Sequence, residues 1–210
     1  MVDGVGCAIR AQGVQVRARW ANERIEVGIQ PIEPLVPHPP MNASTNMSPT
    51  RCAIATIGVY GFTGETFLAR LAGSDVRLVL DVRQRRGVRG PQYAWANSRR
   101  LQDALADADL GYRHHPELAP TTELRQLQYA EDARLGVGKR SRVELAPEYV
   151  RRYTTETLDC ADLTALVTTL PTEGLAALLC VERDPQACHR SLIAARLADH
   201  HGLTIEHLRP

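Results

Sequence analysis

Residues 53–82 read AIATIGVYGFTGETFLARLAGSDVRLVLDV, and the rhythm of this stretch decides the fold. An apolar run from Ala53 to Gly58 leads through Gly61 to Thr63, a residue suited to cap a helix. Phe67, Leu68 and Leu71 then share one helical face, and Gly73 stops the helix. The next run, Val76 to Val82, reads as a strand buried on both faces. A strand, a helix and a buried strand in about thirty residues form a βαβ unit, whose strands lie parallel because the helix carries the chain back.

Toward the C-terminus the alternation continues. A helix is predicted from Ser98 to Ala108, with Leu101, Leu105 and Ala108 at helical spacing, followed by a strand near Tyr112. Residues 122–170 carry helical patterns broken at Gly136, Gly138 and Pro147. Leu175 to Val181 is the last strong apolar run; a helix through Leu192, Ile193 and Leu197 follows, stopped by Gly202, and then a strand from Thr204 to Leu208. The expected product over residues 53–210 is a single three-layer α/β/α domain with a mostly parallel sheet.

Toward the N-terminus the pattern is different. Residues 31–50 hold six of the 13 prolines and end in an Asn/Ser/Thr stretch, the composition of an extended linker. Before it, alternation through Val14, Val16, Ala18 and Trp20 and again through Ile25, Val27 and Ile29 predicts a β-hairpin over 12–30. A lone hairpin is marginally stable, so residues 1–52 are expected to be either a small appendage or a disordered extension. Met41 and Met47 leave open a later translation start.

Composition narrows the function classes. A net charge of +1 and pI near 7.7 over 210 residues argue against holding nucleic acid by bulk charge. No apolar run reaches membrane-spanning length and no secretory signal opens the chain, so a cytoplasmic protein is expected. Five scattered cysteines without a CxxC pair predict reduced thiols. Of the 25 basic residues 24 are Arg, so only the position of an arginine is informative, not the number.

Ligands of open parallel sheets sit at the carboxyl ends of the strands, and the densest motif lies at such an end: Cys180-Val-Glu-Arg-Asp-Pro-Gln-Ala-Cys-His-Arg190. Asp184 and Pro185 carry helix N-cap and N1 signals, which would set Cys188, His189 and Arg190 in the first turns. Unpaired N–H groups and the helix dipole there attract anions and lower a thiol's pKa, and Arg183 adds charge. The alternative reading makes Cys180 and Cys188 small buried side chains and Glu182 an arginine partner. Cys180, Cys188, His189 and Glu182 are metal-donor types, but seven residues between the thiols is not a common zinc spacing, so no metal is expected.

Three further motifs end predicted strands. Asp81-Val82-Arg83 leads into a stretch between Val82 and Gln102 with six arginines and no acid, and with Tyr93 and Trp95 interleaved, suited to phosphate contact with base stacking. Gly58, Gly61 and Gly64, with Asp81 beyond them, resemble a dinucleotide-binding turn, although the G-x-G spacing is absent and Glu65 rules out a P-loop. His114-His115-Pro116-Glu117-Leu118 offers a histidine for acid/base work or a strand-end histidine satisfied locally.

Taken together, Thr56-Ile57-Gly58, Asp81-Val82-Arg83, the run at 114–118 and Leu178-Leu179-Cys180-x-Glu182-x-x-Pro185-x-x-Cys188-His189-Arg190 resemble domain-of-unknown-function family 488 over residues 54–208. The resemblance implies a compact prokaryotic α/β domain with its motifs gathered at the strand ends and no established reaction to carry over. Members of that family often read Thr-Ile-Gly-His-Ser at the first strand end; here Val59 and Tyr60 follow Gly58, so either Tyr60 substitutes for that His, or another His such as His115 serves, or this member has lost an activity.

The leading expectation is an anion-binding enzyme acting on a phosphate-bearing substrate, a nucleotide or nucleic acid. Arg83, Arg183, His189, Arg190 and Tyr60 would hold the anion, Asp81 would orient Arg83, Cys188 would be the nucleophile, and Glu182 and His115 would move protons. No cofactor is expected. The competing readings are a non-enzymatic nucleic-acid-binding module built on residues 83–100 and an NAD(P)-binding protein using Gly58, Gly61 and Gly64.

Overall fold

The structure is a computed structural model that describes residues 53–210. The hairpin and linker expected over 12–50 lie outside the described residues. Strands β1 (Ala53–Gly58), β2 (Val76–Asp81), β3 (Gly111–His114), β4 (Leu175–Cys180) and β5 (Thr204–Leu208) form one sheet in the order β3-β2-β4-β1-β5. Every pairing is parallel, so the expected mostly parallel sheet is parallel throughout. The central strands are the apolar ones: Ile54, Ala55 and Ile57 of β1 and Ala176 to Cys180 of β4 are buried.

The helices are α1 (Gly64–Gly73), α2 (Ser98–Asp107), α3 (Thr122–Arg134), α4 (Pro147–Tyr153), α5 (Leu163–Val167) and α6 (His189–His201). Thr63 caps α1 as expected, its hydroxyl accepting from the Thr66 N–H while the Thr66 hydroxyl accepts from the Thr63 N–H. Gly202 ends α6 at φ +67°. Chain order and strand order together divide the helices. The connections β1→β2 and β2→β3 run toward one edge, whereas β3→β4 and β4→β5 run toward the other. Right-handed crossovers therefore set α1 and α2 on one face and α3 to α6 on the opposite one. The packing agrees: α1 and α2 meet through a 3-10 turn at Pro91–Ala96, and α6 packs on α4 and α5.

Both interfaces are apolar. Phe67, Leu71, Leu101 and Leu105 fill one face; Leu124, Tyr153, Leu166, Ile193 and Leu197 fill the other. The direction of the connections switches around β4, and in open parallel sheets the crevice at the strands' carboxyl ends beside such a switch is where ligands commonly sit. Among the described residues no helix is long and apolar enough to cross a membrane.

Candidate functional site

The sheet register brings three sequence motifs together. Gly58 pairs with Cys180 and Asp81 with Leu179, so β1, β4 and β2 end side by side. A Cβ on Gly58 would stand 1.9 Å from the carbonyl oxygen of Glu182, and only glycine permits that approach. Arg190, wholly buried, holds the same turn from the other side: one Nη donates to the Glu182 carbonyl at 2.7 Å and the other to the Arg183 carbonyl at 3.0 Å.

The helix after this turn starts later than its local signals indicate. Asp184 and Pro185 open a short 3-10 turn (Pro185–Ala187), and Cys188 then takes an extended conformation, φ −143° and ψ 139°, before α6 begins at His189. This kink aims the Cys188 side chain back at the end of β4. The His189 Nδ1 lies 3.8 Å from the Cys180 Sγ and 3.9 Å from the Cys188 Sγ, and the Cys180 Sγ lies 3.3 Å from Glu182 Oε2. On its far side the ring donates from Nε2 to the Val82 carbonyl at 3.0 Å, which leaves Nδ1 facing the thiols. Tyr153 packs edge-on against the imidazole, with 5.5 Å between centroids.

Burial sets the electrostatics of this cluster. It pushes the Cys180 thiol well above the ordinary range. It acts on Cys188 in the same sense, but the Cys180 S–H and the charges of Arg190 and His189 outweigh it, so Cys188 falls well below. Burial also raises Glu182, helped by Cys188 and opposed by Lys139. For His189 burial disfavours the cation, and the neighbouring Cys188 and Glu182 more than restore it.

Above these residues opens a cleft of about 510 Å³, lined by Cys180, Glu182, Cys188 and His189 on its floor and by Tyr60, Arg85, Arg89 and Arg125 among its walls. Six cationic side chains line it (Arg83, Arg85, Arg89, Arg125, Lys139 and Arg142) against one carboxylate, Glu182.

Residues 63–197 match the family model described as Domain of unknown function DUF488. The chain belongs to that family. No curated protein matches the chain, and no solved structure matches it. The DUF488 range takes in Asp81, Arg83, Glu182, Cys188, His189 and Arg190 and stops short of Gly58 and Tyr60.

Within the DUF488 domain, the three arginines expected to hold an anion are either spent on protein partners or placed outside the cleft lining. Arg83 is buried and spends its fork on Asp81, with Nε to Oδ1 at 2.8 Å and Nη2 to Oδ2 at 2.7 Å; its Nη1 donates to the Ala96 carbonyl. Asp81, which also accepts from the Tyr112 hydroxyl at 2.7 Å, does orient Arg83 but neutralises it too. Arg190 is committed to the carbonyls named above. Arg183 is exposed and lies beside Gly61, outside the cleft lining. His115 also lies outside the lining and bonds Glu117 through Nδ1 at 2.7 Å. Tyr60 lines the cleft, 5.0 Å from the Tyr93 ring, with Arg140 over both.

The arginine-rich segment is divided by the fold. Arg85 and Arg89 face the cleft, Arg86 reaches Tyr112, and Arg99 and Arg100 ride on α2. Trp95 packs on Phe67, with 4.9 Å between centroids, so its ring is taken up by the core. The glycines of the supposed dinucleotide turn face protein as well: Gly58 meets Glu182, Gly61 meets Pro210 and Gly64 meets Trp95.

Sequence reasoning missed the α3 side of the cleft. Gln128 and Asp132, one turn apart, are buried with Arg142: Gln128 Nε2 donates to Asp132 at 2.9 Å, as does Arg142 Nε. Lys139, the chain's one lysine, reaches Glu182 at 3.4 Å from the loop after α3. Its setting, a Lys-Arg-Ser-Arg run directly after Gly136 and Gly138, was the available signal.

Proposed function

We propose that the cleft binds a phosphate-bearing small molecule of nucleotide size and that the protein is an enzyme acting on it at the Cys180–Glu182–Cys188–His189 floor. The observation that carries this reading is the charge on the walls. Among the described residues none of Arg85, Arg89 and Arg125 has a carboxylate within salt-bridge distance, although all three line one concave site. Cations left unpaired around a cleft attract an anion, and the planar arginine fork matches phosphate oxygens two at a time. The volume suits a mononucleotide, and the Tyr60 aromatic side chain lines the same cleft. A dinucleotide cofactor is supported less, because the glycine turn it would use is filled by protein.

The test is thermal unfolding with inorganic phosphate, sulfate, mononucleotides and NADPH, repeated with Arg85→Ala/Arg125→Ala. A ligand that binds only the folded state at 100 times its Kd stabilises by about 2.7 kcal/mol. Stabilisation by a nucleotide that the double variant loses is the expected result. No shift with any anion, or a shift the variant keeps, overturns the reading.

A further inference from the structure

We infer that Cys180, Cys188 and His189 bind one zinc-class metal ion on the floor of the cleft. Their ligand atoms all lie within 4.8 Å of one another. A tetrahedral zinc ion, with bonds of about 2.3 Å to sulfur and about 2.0 Å to nitrogen, would set S···N edges at roughly 3.5 Å and an S···S edge at roughly 3.8 Å. The two S···N separations here are 3.8 and 3.9 Å. The S···N edges close around an ion with side-chain shifts of a few tenths of an ångström, and the two sulfurs, within 4.8 Å of one another, draw together by up to about 1 Å.

The orientation of the histidine is that of a ligand. Nδ1 faces both sulfurs, and the opposite nitrogen donates to a backbone carbonyl, the Val82 oxygen at 3.0 Å. Metal-bound imidazoles are held in this way, because the second hydrogen bond fixes tautomer and ring angle. Tyr153 and the stacked Tyr149 wall the ring on the α4 side. Two thiolates and an imidazole are soft and borderline donors that suit zinc and not the oxygen-seeking magnesium or calcium. The spacing that disfavours zinc in the sequence does not apply in space, since the extended Cys188 folds its thiol back over the seven intervening residues.

Three protein ligands on a cleft floor leave a fourth position to water or substrate, the arrangement of catalytic zinc rather than structural zinc. Glu182 stands beside it, 3.3 Å from the Cys180 sulfur and linked to Lys139. In this arrangement Cys188 is a ligand, and the reacting group is the water or substrate atom on the ion. The inference is independent of what the cleft walls bind.

The experiment loads the full reduced chain with Zn²⁺ and with Co²⁺ after chelation and dialysis, then measures metal content and the cobalt spectrum. One equivalent per chain, with thiolate-to-cobalt charge transfer and tetrahedral d–d bands, is expected. Cys180→Ser and Cys188→Ser should each weaken binding at least tenfold, whereas Cys160→Ser, Cys7→Ser and Cys52→Ser should leave it unchanged. X-ray absorption at the zinc edge of the unmodified chain gives a reading that needs no buried variant to fold: two sulfurs at about 2.3 Å and one nitrogen at about 2.0 Å. A shell of nitrogen and oxygen alone, binding that the Cys188 variant keeps, or no stoichiometric binding overturns the inference. Nucleotide stabilisation lost in Arg85→Ala/Arg125→Ala would stand in any of these cases.

Discussion

Gly58 concentrates the demands on the site into a single atom. Its missing Cβ is the space in which the Glu182 carbonyl lies, and the same oxygen accepts from Arg190 at 2.7 Å. Gly58→Ala must move either β1 or the turn that carries Glu182. Overpacking of this kind costs about 1–3 kcal/mol, so a drop of several degrees in Tm is expected, together with weaker metal binding. Gly73→Ala is the control, since nothing lies within 4 Å of the added methyl; it should leave Tm unchanged or slightly raised. Equal melting of the two variants would show that the Glu182 turn yields freely. The sequence marks Gly58 as a glycine but not the reason for it, because its crowding neighbour is more than a hundred residues away. Arg83 and Arg190 are plain in their motifs, but their charge is turned inward by the Asp81 carboxylate and by the backbone carbonyls of Glu182 and Arg183.

At the level of elements, α3 is joined to the loop after it by the buried Asp132–Arg142 pair, with Gln128 bridging to the Ala146 N–H at 2.8 Å. Burial disfavours the Asp132 carboxylate, but Arg142 and Gln128 outweigh it and hold its pKa below the ordinary value. A carboxylate depressed on folding contributes stability that is full above the unfolded pKa of about 3.9 and is lost as pH falls through the folded value. Asp132→Asn takes from the buried Arg142 its hydrogen-bonded carboxylate, leaving only Glu182 at 4.0 Å, and should cost about 3 kcal/mol at neutral pH. Urea midpoints followed from pH 7 into the acid range should show this difference shrinking as Asp132 protonates in the parent. A difference constant down to the lowest pH would mean that the pair carries no charge. Element boundaries were legible where their causes are local: the Thr63 cap, Gly73 and Gly202 all act within a turn of the backbone. The start of α6 was not, because Cys188 is extended between the short turn that Asp184 and Pro185 open and the helix that begins at His189.

For the molecule as a whole, the described residues 53–210 carry a continuous buried core between sheet and helices. A chain starting at Ala53 is expected to unfold in one cooperative transition and to keep nucleotide and metal binding; a broad or probe-dependent transition would show that the domain needs residues from the first 52. Alternating apolar runs and helical faces were enough to foretell the α/β class, since each reports only whether its own residues face oil or water. The strand order β3-β2-β4-β1-β5 was beyond them, because it records which runs pair with which. Local chemistry thus settles the elements, their caps and the presence of a thiol, imidazole and arginine motif. Long-range pairing decides which arginines remain free for an anion and brings two thiols and a histidine within 4.8 Å, because a charge is neutralised and a ligand set is completed by neighbours in space, which chain distance does not reveal.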